Sequence, residues 1–432
     1  MLVIFSDVHL TDGTSGTTIV PRAFKKFGNI LNDIIGDPKE AKIKEIHIVL
    51  LGDIFDVIRF RRWLRDENKS DTHPIRPWSD PGETDGAQKP WNVEEYTRNI
   101  VKGIIEHSNN QEIKAYLEES QKEWAAKGVK VDFTYLMGNH DWLINRYDHT
   151  RSDIAKFIGL PDPQWYSNNP FHEIFLFEKY GVLARHGDYY DRINHEGNRN
   201  SSSLGDAIVI DLLNRFPEEV RRKLGLDEKD KLYVALKEID NVRPILNVPA
   251  WVQGVCNYFP GMEERIHRIW NETVDRFLAL DFVKAHGHLG PDFIDFLAMA
   301  LRLTSNFSFE RLQAILGTWV AKGIYQKLDD YRRFAYNEWA LKKNQARYVV
   351  YGHTHKAEQI PLDTVSLPGP PEEMLEKIYF NSGTWRKVFE LTAFDAENYE
   401  FIGWHVMTFL VFYLPEEREV DRHFEMWSAS LG

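Results

Sequence analysis

Eight residues in this chain combine side-chain type and setting in a way that points to chemistry: Asp7, His9, Asp53, Asn139, His140, His186, His353 and His355. They offer carboxylates, an amide oxygen and imidazoles. The single cysteine, Cys256, excludes a thiolate cage and an internal disulfide. That donor mix suits borderline or hard divalent ions such as Mn, Fe, Zn or Co. Eight such residues exceed the needs of one tetrahedral ion. They fit a pair of ions about 3.5–4 Å apart with a shared carboxylate. A hydroxide bridging such a pair would be a nucleophile at neutral pH, because bound metal lowers the pKa of water. Taken singly, each residue has a plainer reading: Asp7 as a helix N-cap, His9 as a surface histidine. It is the repeated placement after an apolar run that favours the metal reading.

The elements that must position these residues can be read from the same sequence. Leu2–Phe5, Ile46–Leu51, Val131–Met137, Gly181–Arg185 and Tyr348–Tyr351 are apolar runs with the length and composition of buried strands. Each ends in a small turn followed by Asp, Asn or His. In open α/β sheets ligands sit beyond the carboxyl ends of the strands, so five such strands would deliver their polar ends to one edge. Between them, Phe24–Ile35 has helical apolar spacing. Asn92–Lys127 predicts a long helical region broken near Ser108–Asn110. Arg59–Pro90, rich in Arg, Asp and Pro, reads as a long inserted loop. From Asp191 to Ala346 strand-like runs give way to amphipathic helices (Leu204–Phe216, Glu263–Leu280, Phe309–Lys343), an insertion of domain size. The strand pattern returns at Arg347, with later strands at Ile378–Asn381 and Phe401–Tyr413 and a turn-rich loop at Leu367–Pro371.

Composition narrows the field. The 432 residues carry 53 Lys plus Arg against 65 Asp plus Glu, a net charge of −12. An acidic balance argues against nonspecific duplex binding and gives no strong nucleic-acid signal. With 13 Trp, 18 Tyr and 26 Phe, full-length disorder is excluded. The apolar stretch Trp404–Leu414 is interrupted by His405 and Thr408 and falls far short of the roughly 20 residues of a spanning helix. The short Leu2–Phe5 run lacks a basic flank, so no leader is expected. Together with cysteine usage, this predicts a soluble cytoplasmic protein.

The strand-end motifs, taken in order, resemble a known family. Asp7-Val8-His9, Gly52-Asp53-Ile54-Phe55-Asp56, Gly138-Asn139-His140-Asp141, His186-Gly187-Asp188 and Gly352-His353-Thr354-His355 are similar to the five ordered motifs of calcineurin-like metallophosphoesterases. The resemblance covers about residues 1–188 and 346–410. It implies an α/β fold with a two-sheet β-sandwich flanked by helices. Residues 1–190 and 346–432 would form the catalytic domain and residues 191–345 a helical cap. It also implies a dinuclear phosphohydrolase acting on a phosphoester or pyrophosphate bond through a metal-bridging hydroxide, with manganese the first metal to test. Asp7, His9, Asp53 and His355 would hold one ion. Asp53, Asn139, His186 and His353 would hold the other, with Asp53 as the bridge. His140 would face the substrate and protonate the leaving oxygen, and Asp56 would keep His140 charged. The substrate expected is a phosphorylated small molecule or a nucleotide-linked one.

Departures from related patterns also inform. Protein phosphatases of this superfamily carry Asp-Arg-Gly where this chain has Asp56-Val57-Ile58. Arg59, Arg61, Arg62 and Arg65 follow closely and are candidates to grip phosphate instead, with a solvated charged loop as the alternative. UDP-diacylglucosamine pyrophosphohydrolases are similar in two motifs, but they are shorter and usually have Arg at the place of His140. Repair nucleases of the superfamily carry a capping domain after the last motif, where little chain remains here. A non-catalytic scaffold of the same fold is the competing class. Asn381–Arg386 resembles a segment that packs the sheet in some members. His286-Gly287-His288 competes with His186 but lies in helical sequence. Asp188 reads either as a partner that orients His186 or as a turn residue. The insertion leaves just after one motif and returns just before another, which predicts a lid over the site.

Overall fold

The apolar run after Met1 becomes strand β1 (Leu2–Phe5), buried along its whole length. In the computed structural model β1 pairs in parallel with β2 (Glu45–Leu51), and β2 pairs in parallel with β3 (Lys130–Leu136). The structure describes residues 1–37, 42–68, 74–79, 93–286, 297–298, 300–302, 328–367, 373–392, 400–417 and 423–431. A second set of strands follows: β4 (Ile174–Phe177), β5 (Val182–Arg185), β6 (Tyr348–Tyr351), β7 (Ala357–Leu367) and β8 (Glu373–Ser382). The chain closes with β9 (Lys387–Leu391), β10 (Phe401–Phe412) and β11 (Phe424–Ser430).

These strands make two mixed sheets, ordered β11-β10-β1-β2-β3, with β9 on β10, and β4-β5-β6-β8-β7. Alternation along each strand sends one set of side chains to each face. Leu2, Ile4, Val49 and Leu51 of the first sheet share an apolar cluster with Val182, Ala184, Val350 and Phe380 of the second. The intervening residues Val3, Phe5, Ile48 and Leu50 face the other way, into a second cluster with helices. There α1 (Arg22–Ile35) buries Phe24, Phe27, Ile30 and Leu31 at helical spacing, and Phe27 meets Phe5 edge-on with ring centres 5.3 Å apart. The far face of the second sheet packs Leu183, Val349 and Tyr379 against Tyr331, Ala335 and Leu341. The protein is thus a mixed α/β structure whose sheets share one apolar interior.

The predicted helical region before β3 divides into α2 (Val93–Glu106) and α3 (Ser108–Ala126), broken at His107, which caps α3 through its side chain. Part of the Arg59–Pro90 stretch differs from the expected loop: Arg61–Asn68 is a 3₁₀ helix that buries Trp63. Residues 69–73 and 80–90 of that stretch lie outside the described residues. Four strands were not read from the sequence: β4, β7, β9 and β11. β7 sits at a sheet edge and its register shifts at Pro361, so its apolar alternation is broken.

The inserted helices have a core of their own. Phe216, Val220, Trp251, Trp270, Val274 and Phe277 cluster apart from the sheet cores. Ile208–Asn214 winds in wider π-type turns and sends Ile208 and Leu212 into this core and Val209 and Ile210 into the core under the first sheet. The helix expected over 309–343 is described only at Leu328–Asn337 and Trp339–Lys342. The rest of that range lies outside the described residues. Most of the expected Leu367–Pro371 loop (368–371) does too. Among the described residues, no helix is long and apolar enough to cross a membrane.

Candidate metal centre

The loops after β1, β2, β3, β5 and β6 meet at one place. Backbone bonds join them: Asp7 N–H to Gly52 O (3.2 Å), His9 N–H to Asp53 O (2.9 Å), Val57 N–H to His140 O (3.0 Å) and Gly352 N–H to His186 O (2.8 Å). The Asp141 carboxylate stitches two loops together, accepting from Gly138 N (2.7 Å), Ile54 N (3.2 Å) and Tyr135 Oη (2.6 Å). Burial, with Asp53 nearby, pushes the Asp141 carboxyl up to about 7. Asn381–Arg386 braces the arrangement from behind. Thr384 Oγ1 and Trp385 N donate to Asp7 O (2.7 and 3.2 Å), and the Trp385 ring stacks on Phe5.

The backbone here is strained. Asp7, His9 and Asp53 each have φ of 52°, His353 has 69° and His355 has 62°. Side-chain-bearing residues are held in that left-handed region at a cost of about 1–3 kcal/mol each, and such strain collects at functional sites. Close approach sets Gly138 as well: a Cβ there would stand 2.2 Å from Asp53 Oδ1.

Among the described residues, the side chains gather into three overlapping sets, each with potential ligand atoms within 4.8 Å of one another: Asp7, His9 and His355; Asp53, His186 and His353; and His9, Asp53 and His140. Asp7 and Asp53 each use one carboxylate oxygen locally. Asp7 Oδ2 accepts from Ser6 Oγ and from His353 N (3.0 Å), and Asp53 Oδ1 accepts from His140 N (2.8 Å). The other oxygens face imidazoles. Asp7 Oδ1 lies 3.2 Å from His355 Nε2 and 4.0 Å from His186 Nε2, and Asp53 Oδ2 lies 3.1 Å from His186 Nε2.

The partners of the ring nitrogens decide what these contacts mean. His186 Nδ1 donates to Leu51 O (2.9 Å), so in the neutral ring Nε2 carries a lone pair, and it faces the Asp53 carboxylate. His353 Nε2 donates to Asp191 Oδ2 (3.0 Å), so Nδ1 carries a lone pair and faces Asn139 Oδ1 at 3.0 Å. His9 Nδ1 donates to Asp56 Oδ2 (3.0 Å), so Nε2 carries a lone pair and faces His355 Nε2 at 3.1 Å. The His353 Nδ1–Asn139 Oδ1 contact therefore sets acceptor against acceptor in the neutral ring unless a positive charge stands between them, and the His186 Nε2–Asp53 Oδ2 contact needs a proton or a cation there. Among the described residues, Asp7 Oδ1 and His186 Nε2, both buried, have no partner that meets hydrogen-bond geometry. Such groups are costly to leave unsatisfied. The residues fit divalent cations.

Charge follows the same pattern. Burial alone would raise the Asp7 and Asp53 carboxyls, yet His186 and its neighbours hold both below the usual range. Burial opposes a charge on His186, but Asp53 and Asp7 push it up to about 10. His140 Nδ1 donates to Asp56 Oδ1 (2.9 Å), and Asp56 with Asp53 overcomes burial to raise His140 to about 9. Burial, then the Arg243 charge, holds His355 well below its ordinary value.

All seven residues expected to hold metal, together with His140 and Asp56, are brought to this one cluster. Of the four arginines, Arg59, Arg61 and Arg62 make their described contacts elsewhere, and the Arg65 side chain lies outside the described residues. Arg59, 1% exposed, donates to Asn241 Oδ1 (3.3 Å) and Lys237 O (3.1 Å) and pairs with Asp240 (3.3 Å). Arg61 pairs with Glu218 (3.2 Å) and Glu228 (2.8 Å), and Arg62 lies over the Tyr96 ring. Asp188 bonds Arg199, while the orienting partner of His186 is the Leu51 carbonyl. His286 is bonded to Glu196 and Phe282 O, and His288 lies outside the described residues. Asp191 and Asn194, both in contact with the cluster, were missed by the sequence reading. Their one sequence signal was proximity to His186-Gly187-Asp188.

No family model and no curated protein matches the sequence.

Proposed function

We propose that this chain is a dinuclear metal-dependent phosphohydrolase of the calcineurin-like metallophosphoesterase type, with the corresponding two-sheet fold, cleaving a phosphoester or pyrophosphate bond. The observation that carries the reading is the gathering of two carboxylates, an amide oxygen and four imidazoles in one cluster at the ends of parallel strands, with Asn139 Oδ1 and His353 Nδ1 facing each other at 3.0 Å. Asp7, His9 and His355 would hold one cation, and Asn139, His186 and His353 the other, with Asp53 shared. Two divalent ions, manganese first among Mn, Fe, Zn and Co, would supply Lewis acidity and an activated water. His140 gives its Nδ1 proton to a bond with Asp56, which leaves Nε2 to serve a phosphoryl or leaving-group oxygen. Asp56 holds both the His9 and the His140 ring, one with each oxygen.

The test is metal analysis of purified protein alongside hydrolysis of an aryl phosphate, an aryl phosphodiester and a nucleoside diphosphate sugar under Mn, Zn, Co and Fe. Two bound ions per chain and metal-dependent turnover are expected. Protein that binds no metal and stays inert after Mn addition would instead be a binding scaffold.

A further inference from the structure

The insertion begins with a short strap, residues 191–199, that reaches the cluster before any of its helices form. Asp191 Oδ2 accepts from His353 Nε2 at 3.0 Å. Asn194 Nδ2 donates to the same Asp191 oxygen at 2.8 Å, and Asn194 Oδ1 accepts from Asn139 Nδ2 at 3.3 Å. One turn holds both strap residues: Asn194 N donates to Asp191 O (3.0 Å) and Ile193 N to Asp191 Oδ1 (2.9 Å). Gly205 presses on this turn from the first inserted helix. Its N–H donates to Ile193 O (2.7 Å), and a Cβ on it would stand 2.1 Å from Asn194 Oδ1. The far end is tied down by Arg199, which bonds the Asp188 carboxylate and Gly138 O.

Two choices of donor atom follow. An imidazole can present either nitrogen, and Asp191 takes the Nε2 proton, so His353 must present Nδ1. A carboxamide can present oxygen or nitrogen, and Asn194 takes the nitrogen, so Asn139 must present Oδ1. Both residues lie on the His186 side of the cluster. On the other side the orienting carboxylate is Asp56, from the loop after β2.

We infer that Asp191 and Asn194 are positioning residues for one cation only, the one on the Asn139–His186–His353 side, so that the insertion completes one metal position and leaves the other to the sheet loops. This rests on the proposed metal reading. Partners that fix a metal-ligating histidine typically change metal affinity about 10–100-fold when removed.

The experiment is Mn(II) titration by calorimetry, with ions per chain counted by elemental analysis, on wild type, Asp191→Ala and Asn194→Ala. Thermal melting of the metal-free forms is measured alongside. Wild type is expected to bind two ions. Each variant is expected to keep one affinity unchanged and to weaken the other by roughly 10–100-fold. Asp191→Glu is expected to recover part of the loss in Asp191→Ala. Variants that bind both ions as wild type does, or that weaken both equally while melting normally, overturn the inference and leave the metal reading standing. Wild type that binds no ion removes both. If Asp191→Ala fails to fold, Asn194→Ala decides the matter through its separate contact with Asn139.

Discussion

At the His9 end of the cluster the orienting carboxylate is Asp56, 47 positions away along the chain and inside the same motif as Asp53. At the His353 end it is Asp191, 162 positions away and in the first turn of the insertion. The two carboxylates do the same chemical job: each accepts a ring N–H and turns the other nitrogen inward. The insertion also reaches the His9 end, but one layer back. There Asp240 lies between Arg59 and Arg386, both buried, and Arg243 sets its charge near His355. One end is built from the sheet loops and backed by charged residues of the helical region. The other end is directly bonded to it. The insertion is therefore part of the site at one end and a support at the other.

The largest break in this comparison should come from Asp53→Ala, since its carboxylate faces both halves. Neither ion is expected to remain, and elemental analysis after dialysis checks it. His140→Ala should divide structure from chemistry. It removes a ring that shares Asp56 with His9, so both ions should stay while turnover on an aryl phosphate falls by roughly 10²–10⁴. Loss of both ions would mean that His140 is itself a ligand.

Asp240→Ala tests the supporting role. It strands two buried guanidinium groups, and breaking a buried pair in this way costs about 3–5 kcal/mol. Thermal melting should show the loss, with metal stoichiometry unchanged. Burial would raise the Asp240 carboxyl, but Arg386 and Arg59 hold it below the ordinary aspartate value. Its stabilisation is thus fully present above about pH 4 and fades as pH falls below that. The melting gap between wild type and Asp240→Asn should narrow on acidification through that range. The smallest effect is expected for Arg61→Ala. Its partner Glu228 is 67% exposed, and such pairs are worth about 0–1 kcal/mol. Turnover should not change. A large fall in turnover without a fall in stability would place Arg61 on the substrate.

Much of the fold was legible because buried strands announce themselves as apolar runs. All five predicted motif-bearing strands are present within about a residue of their expected bounds. β7 and β11 were not, because edge strands with one wet face or an interrupting Pro361 lose that signature. Arg59 shows the opposite failure. Its type and position suit phosphate, but Asp240, far along the chain, is what it meets.

The amino-acid sequence by itself determined which side chains could gather and at which strand ends, because ligand type and local spacing are written residue by residue. It could not determine which nitrogen of His353 or which atom of Asn139 turns inward. Those choices depend on where a proton is drawn by a neighbour through space. Only the folded chain brings Asp191 and Asn194 to the place where they make them.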